Sequence, residues 1–211
     1  MVAEGKKSAE CNNKLMEKKC RKCRKEGIKL MLKGERCSSP KCAIVNRNYK
    51  PGQHGPGGFS KLSEYGKQLR EKQKLKRIYG ISETQLKNYY ALANKKNGST
   101  SENLIIFLET RLDSIIYGLG IGKSRRSARQ IVNHKFLKQN GKNINIPSAR
   151  VSQNDKITVS NVNFLKDISE NSLNWVSFDK KTREIWIKKM PSIEDIDLPC
   201  DINLIIEYYS R

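Results

Sequence analysis

No segment of this sequence stays apolar for long. Its longest run, "LIIFL" at 104–108, meets Glu109 and Arg111 at once. A helix needs about 20 apolar residues to cross a bilayer, so no membrane span is expected. The opening "MVAEGKKSAECNN" has no apolar stretch of the secretory-signal kind, and no long amphipathic anchor for a membrane surface is visible. Histidine is nearly missing, with 2 in the chain. His54 lies in a Gly/Pro loop without a partner in view, so it reads as a loop contact rather than a catalyst. There is no nucleotide-binding glycine loop and no Ser–His–Asp or metal–water constellation. Acid is scarce too: 21 Asp and Glu face 42 Lys and Arg, for a net charge of +21. A compact chain of that charge repels itself unless a polyanion neutralises it, and each phosphate contact releases counterions. Together these absences predict a soluble, non-enzymatic, nucleic-acid-binding protein. Its cores must be lean, because only 36% of residues are hydrophobic.

Cysteine is what the chain does concentrate. Cys20, Cys23, Cys37 and Cys42 read as C-x2-C-x13-C-x4-C. One C-x2-C turn presents two sulfurs to a single ion, and a second close pair after a loop completes four ligands. Pro40 and Ser38–Ser39 fit a turn between the last two. Zinc is the expected metal, with an iron–sulfur cluster as the alternative that four thiolates also suit. No open coordination position or general base is visible, so the site is expected to be structural. Its work would be to hold a lean segment in shape while Lys22, Arg24, Lys25, Lys29, Lys33 and Arg36 project from it.

After the Pro/Gly loop "NYKPGQHGPGGFS", the stretch Leu62–Ile78 reads helical. Its apolar stripe (Leu62, Tyr65, Leu69) is thin, and Lys67, Arg70, Lys72, Lys74, Lys76 and Arg77 form a long basic flank for phosphate contact. Ser82 and Gln85 form a capping-box pattern for the next helix, with Leu86, Tyr89, Tyr90 and Ala93 as core. A third helical stretch covers 102–118. In it Leu112, Ile115, Ile116 and Leu119 recur at helical spacing, and Asp113 has a structural role. Ser124 caps "SRRSARQIVNHKF". Ala128, Ile131 and Val132 share one face of that helix while Arg125, Arg126 and Arg129 share another, a display of three phosphate-seeking forks. Asn140–Gly141 signals a hairpin that carries Lys142 onto the same surface. "LNWVSFD" and "REIWIKK" read as paired strands about a "DKKT" turn, and "INLIIEYYS" as a final short strand.

"CRKCRKEGIKLMLKGERCSSPKCAIVNRNYKPGQHG", followed by "LSEYGKQLREKQKLKRIYGISE", closely resembles the start of the small-subunit ribosomal protein four family in its bacterial-type, four-cysteine form. "ETRLDSIIYGLGIGKSRRSARQIVNHKFLKQNGKNINIPSARV" resembles that family's namesake RNA-binding module, and "LIIEYYSR" resembles its ending. The resemblance covers about residues 20–211. It implies an α+β fold: a mostly helical first domain with a four-cysteine metal knob, into which a small α/β RNA-binding module is inserted. The expected division is a disordered extension at 1–19, knob and helical domain at 20–109, module at 110–176, and a segment at 177–211 returning to the first domain. It also implies a structural constituent of the small subunit, monomeric within the ribosome. Such a protein would bind 16S-type rRNA directly, nucleate assembly of the subunit body and contribute to translational accuracy. Small-subunit ribosomal protein five would be its neighbour, and mRNA would pass close by where it enters. The expected location is the bacterial cytoplasm, with an organellar ribosome as the alternative. Family RNA contacts map onto the basic residues of the knob, Arg47 included, onto the 67–77 helix, and onto Arg111, Arg125, Arg126, Arg129 and His134. One departure is that relatives usually carry several Arg or Lys between "PGQHG" and "LSEYG", where this chain has "PGGFSK" with Lys61 alone. Two other classes compete. An RNA-modifying enzyme can carry the same module but needs a catalytic domain that is not evident. A zinc-dependent DNA-binding regulator is allowed by the cysteine spacing alone.

Overall fold

The computed structural model describes residues 19–57, 61–161, 173–179, 181–192 and 195–211. Residues 1–18 of the expected N-terminal extension and Gly58, Phe59 and Ser60 of "PGGFSK" therefore lie outside the described residues.

The cysteine segment forms three short helices, α1 (Lys19–Glu26), α2 (Glu35–Ser38) and α3 (Ala43–Asn46). Two longer helices follow, α4 (Glu64–Tyr79) and α5 (Glu83–Lys95), with α6 (Thr100–Glu109) packed on α5. Local chemistry sets their ends. The Ser63 hydroxyl accepts from the Gly66 amide at 3.2 Å to start α4, and Gly80, at φ +63°, stops it. The capping box is present at α5, where Ser82 and Gln85 satisfy one another's amides at 3.2 Å.

The buried face of α4 differs from the expected stripe. Leu62 and Tyr65 are exposed, while Gln68, Lys72, Leu75, Ile78 and Tyr79 face inward. The C-terminal residues account for this. Ile202–Tyr209 is a helix, α9, laid along α4, and not a strand. The Asp201 side chain caps it, accepting from Asn203 at 2.9 Å, and the Asp201 amide donates to Glu71 at 3.1 Å. Ile and Tyr favour strand locally, but burial of Ile205 against α4 outweighs that preference.

The third helical stretch breaks in two. After α6 the chain turns at Thr110 and Arg111, then enters α7 (Leu112–Gly118). The bend follows from pairing: the Leu112 and Asp113 amides donate to the carbonyls of Ala149 and Pro147, at 2.9 and 3.2 Å. Next come α8 (Arg125–Asn133) and a sheet of β1 (Leu137–Gln139), β2 (Lys142–Ile144), β3 (Lys156–Val159), β4 (Val176–Asp179) and β5 (Glu184–Ile187). The strands lie in the order β2-β1-β3-β5-β4, with antiparallel neighbours. Asn140 (φ +49°) and Gly141 (φ +81°) make the left-handed turn that twists the first hairpin correctly. Since β4 and β5 complete this sheet, the module's sheet extends through Ile187, past the expected boundary at 176. Its core joins Leu112, Ile115, Ile116, Ala128 and Val132 of the helices to Ile157, Trp175 and Ile185 of the sheet side. A second core, around Leu75, Leu86, Leu104, Leu108 and Ile205, holds the helical part.

The cysteine segment and the module approach tightly at Gly34. A Cβ on Gly34 would stand 1.9 Å from the Lys123 carbonyl oxygen, and Gly34 has φ +60°. Gly34→Ala should therefore lower stability by about 2 kcal/mol or more, the scale of left-handed strain to which a backbone clash is added. Denaturant midpoints of the two proteins check this.

Candidate nucleic-acid interface

A cavity of about 420 Å³ opens between the cysteine segment, the C-terminal end of α4 and the face of α8. Lys19, Lys22 and Lys29 line it from the first, Arg77 from the second, and Arg125, Arg126 and Arg129 from the third, with Asp197 as its acid. A second groove of about 340 Å³ adjoins it, sharing Lys22 and Arg77 and adding Lys76. The apolar parts of the cavity come from Leu30, Ile78, Leu198 and Pro199. Local structure aims these cations. Ser124 caps α8 by accepting from the Ser127 amide at 3.2 Å, and this sets Arg125 and Arg126 in the first turn, where the helix end is itself positive. Crowding of like charge is evident at Lys19, whose pKa is lowered by burial and then by the neighbouring Arg126 and Lys33 cations. A bound polyanion would relieve that repulsion.

Other expected phosphate contacts turn inward. Arg111 is fully buried: its Nε and Nη2 donate to the Asp113 carboxylate at 2.9 and 2.7 Å, and its Nη1 donates to the Tyr89 hydroxyl at 3.0 Å. It is an internal ion pair, which corrects its assignment as an RNA contact. Asp113 thus has a structural partner. Lys72 is also buried, donating to Glu83 at 2.7 Å beneath the Tyr208 ring, and is likewise no surface contact. Arg125 is largely enclosed. Its guanidinium lies 4.2 Å from the Tyr79 ring centroid and 4.8 Å from that of Tyr117, and donates to Ser114 at 2.7 Å and Glu109 at 3.2 Å. Arg70 (at 3.3 Å) and Arg77 share one oxygen of Glu26, whose side chain is fully buried. Lys74 pairs with Glu71 at 2.5 Å, Lys76 with Glu83 at 3.1 Å, and the exposed Lys67 with Glu64 at 2.7 Å. Arg24 fastens the Pro/Gly loop by donating to the Tyr49 carbonyl at 2.9 Å, with its guanidinium over that tyrosine's ring.

Glu83 gathers Lys72, Lys76 and the Tyr209 hydroxyl. Burial alone would raise its pKa, but these donors outweigh burial and lower it to about 2. A depressed carboxyl stabilises the fold above its ordinary value of 4.5, and that stabilisation is lost as pH falls toward about 2. Glu83→Gln should flatten the acid limb of stability between those values. Denaturation measured from pH 2 to 5 tests this, and a modest effect is expected because Glu83 is partly exposed.

Lys25, Lys33, Arg36 and Arg47 are exposed on the cysteine segment, outside the large cavity, while His134 and Lys142 are exposed on the module. Lys33 and Arg36 instead border a small cavity of about 20 Å³ that Cys20, Cys23, Cys37 and Cys42 line together. The Lys33 amide donates to the Cys37 sulfur at 3.3 Å. Burial raises the Cys23 pKa, while a hydrogen bond from the Leu30 backbone opposes the rise and the other three sulfurs add to it. Among the described residues, no group of three or more His, Cys, Asp or Glu side chains is arranged to hold a metal ion, so the structure does not show the expected four-cysteine metal site. By chemistry alone, four thiols around one cavity are donors of the kind a thiophilic ion takes. The other three sulfurs are near enough to raise the Cys23 pKa, and drawing four thiolates together costs repulsion that a cation would offset.

Lys19 was missed because it precedes the first cysteine, where the sequence pattern begins. Tyr79, Glu109 and Tyr117 were missed because each looks like ordinary helix interior, and no local signal marks them.

Comparison with known proteins adds to this geometry. The family described as Ribosomal protein S4/S9 N-terminal domain matches residues 14–109, and the S4 domain matches residues 110–157. The chain is 49% identical over 200 residues to small ribosomal subunit protein uS4A of Alkaliphilus metalliredigens, covering 91% of this chain and 96% of that one. It is 49% identical over 202 residues to small ribosomal subunit protein uS4 of Clostridium tetani, covering 92% and 98%. A uS4A of Alkaliphilus oremlandii is 50% identical over 201 residues.

Proposed function

The chain belongs to the small ribosomal subunit protein uS4 family, and we propose that its basic cleft is the surface with which it grips 16S-type rRNA. It is a structural, non-enzymatic, rRNA-binding constituent of the small ribosomal subunit. The cleft carries this reading, since Lys19, Lys22, Lys29, Arg77, Arg126 and Arg129, from three separate parts of the chain, line it beside Asp197 from a fourth. A surface assembled that way suits the fixed backbone geometry of a folded RNA junction, which proteins recognise by shape and phosphate contact. Filter binding to a 16S 5′-domain junction, against duplex RNA and duplex DNA of equal length, tests it. Tighter binding to the junction is expected, and preference for duplex DNA would favour the regulator reading instead.

Within the subunit we infer early binding that nucleates assembly of the body, and a contribution to decoding accuracy. Small-subunit ribosomal protein five and entering mRNA are the partners in that role. The support is the family resemblance, and cross-linking within reconstituted subunits is the test. The four-cysteine site is proposed to hold one zinc through Cys20, Cys23, Cys37 and Cys42, with an iron–sulfur cluster as the second reading. Such an ion supplies a cross-link where burial is lean; these residues supply the sulfur donors and the Lys33 amide steadies Cys37. Zinc, iron and acid-labile sulfide are measured on protein purified without oxygen. One zinc per chain supports the first reading and iron with sulfide the second. Neither metal, in folded protein that binds rRNA, rules out both.

A further inference from the structure

Arg125 looked in the sequence like one of three guanidiniums displayed for phosphate. In the fold it is held from several sides. Tyr79 and Tyr117 flank it with their rings, at 4.2 and 4.8 Å. Glu109 accepts from it at 3.2 Å, and Ser114 at 2.7 Å. The same Glu109 oxygen accepts a hydrogen bond from the Tyr79 hydroxyl, so one buried carboxylate ties the tyrosine to the arginine. These groups come from both bodies: Tyr79 and Glu109 belong to the helical part, and Ser114, Tyr117 and Arg125 to the module. The next two cations of the helix, Arg126 and Arg129, line the cleft together with Arg77, Lys22 and Lys29.

We propose that Glu109 and Arg125 are positioning residues for rRNA binding, forming a latch that presets the angle between the helical domain and the module. The latch rests on the rRNA reading for its purpose, but it exists in the free protein. Its physical logic is that of two linked surfaces. When both cation sets are pre-aligned, engaging the second phosphate tract is intramolecular and carries little further ordering cost. Burial pulls the Arg125 pKa down, but Glu109 and the two tyrosines outweigh it, so the guanidinium stays charged in place.

The test uses the full chain, with encoded ketone side chains at exposed Lys87 and Lys138 carrying distance probes, which spares the cysteines. The wild type should show one narrow distance distribution. Glu109→Gln should broaden it and weaken junction binding roughly tenfold to a hundredfold, with an unchanged salt slope because no phosphate contact is lost. Arg126→Gln with Arg129→Gln should do the reverse, lowering the slope and leaving the distance narrow. If Glu109→Gln fails to fold, Tyr79→Phe, which keeps the ring and drops only the hydroxyl, should broaden the distribution and weaken binding by a smaller factor. Unchanged distances and affinity in the variants overturn the latch, and so does a reduced salt slope in Glu109→Gln, which would make Arg125 a phosphate contact. A wild type without preference for the junction overturns the rRNA reading, while the distance distributions still judge the latch.

Discussion

Asp113→Ala is expected to cost about 3–5 kcal/mol of folding stability, the scale seen when one partner of a buried ion pair is removed. The reason is Arg111. Its side chain is wholly inaccessible and its guanidinium makes two parallel bonds to Asp113, at 2.9 and 2.7 Å. Without the carboxylate, a charge that cannot shed its proton is left inside with the Tyr89 hydroxyl as its remaining partner. The pair sits where α6 gives way to α7, so the damage should fall on the junction of the two bodies. A loss of that size is a large fraction of a typical domain's stability. The double change Arg111→Met with Asp113→Leu should be far milder, because it removes the charge along with its partner. Urea unfolding of the wild type, the single variant and the double variant measures this. A cost below about 1 kcal/mol for Asp113→Ala would mean that the pair is solvated in solution.

Changing Lys29, Arg126 and Arg129 together to Gln should weaken binding to an rRNA junction by about 10²–10³-fold at 0.1 M salt. It should also make the logarithmic salt slope shallower by roughly 3, since each phosphate contact contributes about 0.9. All three side chains line the large cleft and come from two different parts of the chain. A control set matched in charge is Lys67, Lys74 and Lys156, each paired with a carboxylate at 2.7, 2.5 and 2.6 Å and none lining that cavity. Losing the control set should leave the slope nearly unchanged. Equal losses from both sets would mean that total charge drives binding and the cleft does not. Glu109→Gln provides the third comparison, because it is expected to lose affinity without losing slope.

Much of this arrangement is local and therefore readable along the chain. Ser63, Ser82 and Ser124 cap helices because a hydroxyl three residues upstream reaches an unpaired amide. Asn140–Gly141 turns a hairpin because both residues tolerate positive φ. The spacing of Leu112, Ile115 and Ile116 predicts a buried face, and all three are buried. The final strand failed for the opposite reason. Local preference in "INLIIEYYS" points to β structure, while the groove along α4 that accepts a helix is made by residues more than a hundred positions earlier.

The sequence by itself determined the sign and size of the charge, the grouping of four cysteines, the positions of the longer helices and the order of segments that marks the family. Each depends on composition or on neighbours a few residues apart. Only the tertiary structure decided which cations remain available to a phosphate. Lysine and arginine look alike along a chain, and what separates an internal ion pair from a contact surface is the acid or ring that folding brings alongside. Glu26 reaches Arg70 and Arg77 from 44 and 51 residues away, and Tyr79 stacks on Arg125 from across the boundary between the two bodies. Such pairings carry no periodicity, so the division of the basic residues into interior and cleft is set by three-dimensional packing.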